Sequence, residues 1–315
     1  MKNLLKVLAT GCLFSALASH AVAADKIVFG IALEPYPPFS MKSGNGDWSG
    51  FEPELIKALC DRMQAQCPLK EVAWDGLIPA LQSSQIDAIL NSLSITDERE
   101  KVIDFSAPYY QTPAMWVADQ SLELVTTPEG LKGKLIGVQG STSNATFAKT
   151  YYGKTSTLRY YTTQDDMIAD LQSGRIDVML ADALTIEPIL KTAAGAGLAD
   201  KGLAPKDPLF GSGIGVGLRK GDSALQQRIN TALASLKADG TYDKIRKQYF
   251  DFDIMAKPKT TSENTSELNP GSPQGARRSH PKSPVPIPRS RCPSSIPAGT
   301  VNPWIMLAST AMYMK

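Results

Sequence analysis

The sequence predicts an α/β protein made of two lobes of like topology. Two observations lead there. First, short β-branched runs at 26–31, 86–90, 134–138 and 176–180 alternate with amphipathic stretches at 53–66, 75–83, 165–173 and 224–239. Such alternation builds largely parallel sheets covered by helices. Second, the chain echoes itself. The segment from Leu81 to Leu90 returns from Leu171 to Leu180, with Leu-Gln-Ser and Ile-Asp in register. Each copy reads as a helix end, a tight turn and a buried strand. The openings repeat in the same order, 26–30 in the first half and 134–138 in the second.

The two ends of the chain stand apart from this pattern. Lys2 and Lys6 lie in a short basic leader, residues 4–17 are mostly apolar, and Ala21-Val22-Ala23 offers a small-residue cleavage site. That is a secretory signal peptide over 1–23, too short in its apolar part for a lasting membrane span. Reading Ala9-Thr10-Gly11-Cys12 as a lipobox is the competing assignment, weakened because the apolar run continues past Cys12. From 255 to 315 the chain holds eight Lys/Arg, two Glu and ten of the 22 prolines. No hydrophobic period runs through most of it, so a disordered or non-native tail is expected there.

Charge and cysteine usage then bound the body. Of 33 basic and 31 acidic residues, the ends remove ten and two, leaving 23 against 29 and a body near −6. An acidic body argues against nucleic acid and favours cationic solutes. Both histidines (His20, His280) and two of the four cysteines (Cys12, Cys292) fall in the ends. A His/Cys metal site and a His-dependent triad are therefore not expected. Cys60 and Cys67 remain, at the end of an amphipathic stretch, and in an exported protein they read as one disulfide.

In open α/β sheets, ligands bind at the carboxyl ends of strands. That rule selects Asn91, Ser92 and Ser94 after one echoed strand and Asp182 after the other. It also selects the turn 139–143 after the strand ending at Val138, with Ser141, Thr142 and Ser143 opening a helix whose N–H groups attract an anion. Arg99, in the first turn of a helix begun by Thr96, supplies a planar fork matching a carboxylate. Asp182 ends an apolar strand, where an acid is costly unless it caps a helix or meets a cation. Arg99 and Asp182 together would receive a zwitterion. Tyr36, in a proline-rich loop, and Trp74 could sandwich an aliphatic or cationic side chain. Glu34 stands near enough to receive a positive end.

These residues resemble a known family, the periplasmic solute-binding proteins of amino-acid ABC transporters (bacterial solute-binding protein family 3). The pattern is most similar to the lysine/arginine/ornithine and histidine binders. The likeness spans about 26–253 and is carried by Tyr36-Pro37-Pro38-Phe39, Gly50-Phe51-Glu52, Cys60-x6-Cys67 and Trp74-Asp75-Gly76-Leu77-Ile78-Pro79. Ser92-Leu93-Ser94-Ile95-Thr96, Arg99, Ala238-Asp239-Gly240-Thr241-Tyr242 and Tyr249-Phe250-Asp251-Phe252-Asp253 extend it. The resemblance implies a type II periplasmic binding protein fold. Lobe 1 would comprise 24–112 and 214–254, and lobe 2 would comprise 113–213, with chain crossings near 111–113 and 211–213. It implies a monomer without cofactor, working with an inner-membrane permease. Arg99, with Thr142 and the loop 140–143, would hold the α-carboxylate. Asp182 with Ser92 and Ser94 would hold the ammonium, and Tyr36 and Trp74 would hold the side chain. Asn91 replaces a serine common among relatives, and Glu34 is one position out of register with the family's acid. Those departures leave room for opines or polar amino acids. A periplasmic enzyme on the same fold, such as a cyclohexadienyl dehydratase, is the rival from another class. The ligand domain of a receptor is a third reading.

Overall fold

The computed structural model describes residues 25–255. The expected leader, Cys12 and the expected tail beyond Met255 lie outside the described residues. The chain begins with β1 (Phe29–Ala32), a small hairpin of β2 (Met41–Lys42) and β3 (Trp48–Ser49), α1 (Phe51–Met63) and β4 (Leu69–Val72). A single 3-10 turn at Trp74–Gly76 leads into α2 (Leu77–Gln82), followed by β5 (Ala88–Ile89), α3 (Asp97–Glu100) and β6 (Ile103–Phe105). The next elements are β7 (Ala114–Asp119), β8 (Leu135–Gln139), α4 (Ser143–Tyr152), β9 (Thr157–Tyr161) and α5 (Gln164–Gln172). Then come β10 (Val178–Asp182), α6 (Ala183–Leu190) and β11 (Leu198–Leu203). The described residues end through β12 (Gly217–Arg219), α7 (Ser223–Ala238) and α8 (Thr241–Arg246).

Two five-stranded sheets result, ordered β4-β1-β5-β12-β6 and β11-β7-β10-β8-β9. Read in the opposite sense, the second is β9-β8-β10-β7-β11, so the two orders correspond strand for strand. In each, four strands point one way and one runs against both neighbours: β12 in the first and β7 in the second. The reversed strand is the one delivered by the chain arriving from the other sheet. It starts where its neighbours end, so it must run backwards.

The echo seen in the sequence has a packing cause. Gly30 in β1 lies under the side-chain tip of Ile86, and Gly137 in β8 lies under that of Ile176. Asp87 accepts the Val28 amide at 2.8 Å, and Asp177 accepts that of Leu135 at 2.8 Å. The turns before these aspartates use left-handed residues, Ser84 at φ 58° and Gly174 at φ 69°. Each Ile-Asp pair thus fills a glycine gap and hooks the start of the neighbouring strand. A Cβ on Gly30 would overlap Ile86 Cδ1. Gly30→Ala is therefore expected to cost about 1–3 kcal/mol in urea unfolding. Adding Ile86→Val, which removes that methyl, should return part of the loss; a double variant no more stable than Gly30→Ala alone would contradict this packing account.

Lobe 1 is closed by aromatic packing. Phe39 stacks on Tyr110 at 4.5 Å and lies 5.2 Å from Phe250, while Phe51 meets Tyr242 edge-on at 5.8 Å. The segment 242–250 thereby packs against the start of α1 and the loop after β1. Cys60 and Cys67 form the expected disulfide, tying the end of α1 to the approach to β4. Between the sheets, residues 211–215 pass alongside 93–95 and 109–110. Ile95 donates to Gly213 O at 2.8 Å, Ser212 donates to Ile95 O at 2.9 Å, and Ile214 donates to Tyr110 O at 2.9 Å. Gly211, at φ 85°, sits so close to the Ile95 carbonyl that no side chain fits.

Candidate functional site

The strand ends of both lobes meet at a cavity of about 40 Å3. Lobe 1 lines it with Glu34 and Tyr36 from the loop after β1, Trp74, and Asn91, Ser92 and Ser94 after β5; Arg99 comes from α3. Lobe 2 lines it with Thr142 and Ser143 at the start of α4 and Asp182 at the end of β10. Ser141 alone of the expected residues is not in the lining, although its carbonyl accepts from Arg99 Nη2 at 2.9 Å.

The short helix α3 exists to aim Arg99. Thr96 caps it, its hydroxyl accepting the Arg99 amide at 3.3 Å. The guanidinium donates to Ser94 O at 2.9 Å, and its carbon lies 5.8 Å from the Trp74 ring centroid. Burial pulls the Arg99 pKa down to about 10, opposed by the Asp182 charge, so the side chain stays cationic at neutral pH. Trp74 is itself fixed at both ends: its amide donates to Glu34 Oε2 at 3.2 Å and its indole N–H to Gly140 O at 3.1 Å. Glu34, expected to receive a cationic side chain, thus has one oxygen engaged in holding Trp74.

Asp182 occupies the N-cap position of α6 but makes no capping hydrogen bond. Its carboxylate instead accepts from Tyr36 OH at 2.7 Å and from Asn144 Nδ2 at 3.0 Å. Burial pushes its pKa up, while Tyr36, Asn144 and Arg99 pull it down. Thr142 does cap. Its hydroxyl accepts the Ala145 amide at 3.1 Å and donates to Gln139 O at 2.7 Å, so little of it is free for a ligand. Asn91 is engaged too, accepting the Ala32 amide at 2.6 Å and pinning the end of β1. Ser94 and Ser143 approach to 3.3 Å between their hydroxyl oxygens.

Gln164 and Asn144 also line the cavity and were not among the residues singled out. The strand-end rule reaches Gln164, which opens α5 directly after β9. Asn144 follows Ser143 in the first turn of α4, where a polar residue reads as ordinary surface. On the hinge side a larger cavity, about 530 Å3, shares Ser94, Ser143 and Asp182 with the first. Among the described residues, no cluster of three or more His, Cys, Asp or Glu could hold a metal.

Two like lobes joined by two crossings, with a guanidinium and a carboxylate lining the cavity where they meet, define the hinged solute-binding class. The chain belongs to the bacterial extracellular solute-binding proteins, family 3, whose family model matches residues 27–252. It is 41% identical over 244 residues to the L-arginine-binding protein of Pseudomonas aeruginosa, covering 76% of this chain and 94% of that one. It is also 41% identical over 245 residues to the lysine/arginine/ornithine-binding periplasmic protein of Escherichia coli K12, covering 77% and 94%. Among solved structures it resembles an ancestral arginine-binding protein bound to arginine, with TM-score 0.66, 33% identity and coverage of 71% and 98%. The fold is that of type II periplasmic amino-acid-binding proteins.

Proposed function

We propose that this protein captures a cationic amino acid between its lobes and delivers it to an inner-membrane ABC permease, acting in the periplasm after loss of the leader 1–23. The observation that carries the reading is the pair Arg99 and Asp182, opposite charges lining one buried cavity. Arg99 receives the α-carboxylate and Asp182 the α-ammonium, with Ser92 and Ser94 assisting. Tyr36 and Trp74 flank the side chain, and the unbonded oxygen of Glu34 faces its positive end. The naming of related proteins for arginine, lysine and ornithine supports the same ligand class.

Closure follows from an exchange of partners. Arg99 bonds two backbone carbonyls, and Asp182 bonds a phenol and an amide, all neutral. A zwitterion offers each of them an oppositely charged partner, adding an ion–ion attraction that a hydrogen bond from an ion to a neutral group lacks. Because Arg99 belongs to lobe 1 and Asp182 to lobe 2, that gain is realised only with the lobes together. A differential of this kind is what shifts a hinged protein towards its closed form. No covalent step is proposed. Arg99 and Asp182 act as grips, and no histidine occurs among the described residues.

Isothermal calorimetry with arginine, lysine, ornithine, histidine, glutamine and octopine tests the assignment. Binding at micromolar or tighter Kd is expected for at least one of the cationic amino acids, and weak or no binding for glutamine. Failure with all six would overturn it. Prephenate and arogenate should be recovered unchanged by mass spectrometry, and product formation would make the protein an enzyme.

A further inference from the structure

Behind the cavity wall lies a carboxyl group that does not itself line the cavity. Glu52, in the first turn of α1, is fully buried. Its Oε1 accepts three hydrogen bonds: the Ser92 amide at 2.6 Å, the Ser92 hydroxyl at 3.0 Å and the Tyr109 hydroxyl at 2.6 Å. Its Oε2 is buried without a hydrogen-bond partner. Ser92, held from behind in this way, adopts the left-handed conformation at φ 51° and lines the cavity.

The chemistry of a serine hydroxyl makes this arrangement directional. It has one proton to donate and two lone pairs to accept with. The proton of Ser92 points at Glu52, so only lone pairs are left for the cavity. A cavity wall of that kind accepts from an ammonium and repels an acceptor. We infer that Glu52 is a positioning residue that makes the site selective for a cation through Ser92, and that ligand capture is coupled to release of a proton from Glu52 to solvent. This rests on the placement of the ligand's ammonium beside Asp182 and Ser92 proposed above.

The surroundings of Glu52 favour such coupling. Tyr109 and Tyr110 face it from the segment after β6, Tyr36 faces it from the loop after β1, and Asp182 lies beyond Tyr36. From α8, packed on α1, Tyr242 donates to Tyr109 O and Arg246 donates to Phe250 O at 3.0 Å. Lys237 of α7 donates to Pro108 O at 3.1 Å. No cation is paired with Glu52 among the described residues, and burial raises its pKa to about 7. An ammonium arriving on the far side of Ser92 adds a positive charge close to Glu52, beyond that of Arg99 at Ser94, and it favours the ionised carboxylate.

Calorimetry with arginine, whose carboxylate and guanidinium keep their charge across the range and whose α-ammonium begins to lose its proton only at the alkaline end, tests the inference. Affinity is expected to rise about tenfold from about pH 5.5 to about pH 8.5, equivalent to a ligand-induced fall of about one unit in the Glu52 pKa. Near neutrality the binding heat should differ between phosphate and Tris by the amount released protons demand. Glu52→Gln should bind arginine more weakly at the alkaline end and lose both the pH slope and the buffer dependence. If that variant fails to fold, the buffer dependence of the unaltered protein still decides the coupling. Arginine binding that is flat with pH and independent of buffer overturns the inference alone. A Glu52→Gln protein retaining the full linkage overturns it in favour of Asp182. Absence of any amino-acid binding at every pH overturns it together with the proposed function.

Discussion

Arg99→Ala is expected to weaken arginine binding by about a thousandfold, with little change in melting temperature. The asymmetry follows from what Arg99 touches. In the protein it bonds the Ser94 and Ser141 carbonyls and lies over Trp74, all partners without a charge of their own. A ligand carboxylate would instead form a bidentate, desolvated pair with it. Removing one partner of such a buried pair costs about 2–5 kcal/mol, and each 1.4 kcal/mol is about tenfold in Kd. Arg99→Lys keeps the charge without the fork and should lose less, about thirtyfold. Asp182→Ala should lose a comparable amount for lysine and arginine alike, because the α-ammonium is common to both. Normal arginine binding by Arg99→Ala would move the carboxylate grip to the N–H groups at the start of α4. Normal lysine binding by Asp182→Ala would show the ammonium grip to be elsewhere.

How far the site could be read from sequence depended on whether a residue's role is declared by its neighbours in the chain. Asp182 ends a strand and Ser92 and Ser94 follow one, so strand positions alone reach them, while Arg99 is reached through the Thr96 cap of the short helix that follows. The echo could be read for the same reason, since Ile86 and Ile176 pack on glycines one strand away in equivalent sheets. Glu52 could not be read this way. An acid in the first turn of a helix ordinarily sits in solvent and complements the helix dipole, as Glu54 two positions later does in part. Only the three-dimensional approach of Ser92 and Tyr109, forty and fifty-seven residues away, reveals a buried carboxyl. Glu34 lines the cavity as expected, but its second role was hidden. Its charge suggested a ligand contact, but the Trp74 amide that engages it belongs to a different strand end. The sheets' single reversed strands were equally hidden, because local periodicity does not record the direction from which a chain returns.

The protein should be more stable near pH 5 than near pH 8, by on the order of 3 kcal/mol from Glu52. Its pKa is raised from the ordinary 4.5 to about 7 by burial, which the hydrogen bonds from Tyr109 and Ser92 only partly offset. The folded state therefore holds a proton that the unfolded chain has released. That advantage is complete below about pH 4.5 and is lost as pH rises through about 7. Asp182, whose pKa burial also raises, acts in the same direction. Asp104, Asp170 and Asp239 have lowered values and act oppositely, but only on the acid side of their ordinary range. No histidine among the described residues titrates in between. Urea unfolding at a series of pH values should give a midpoint that falls between about pH 5 and about pH 8, and Glu52→Gln should flatten that slope. A midpoint that does not fall over this interval would mean that Glu52 is already ionised in the folded protein at pH 5. Affinity and stability would then no longer oppose each other. In the present account they do: the ionised Glu52 that favours a cationic ligand is the same charge that weakens the unliganded fold, so ligand binding stabilises the protein most where it is intrinsically least stable.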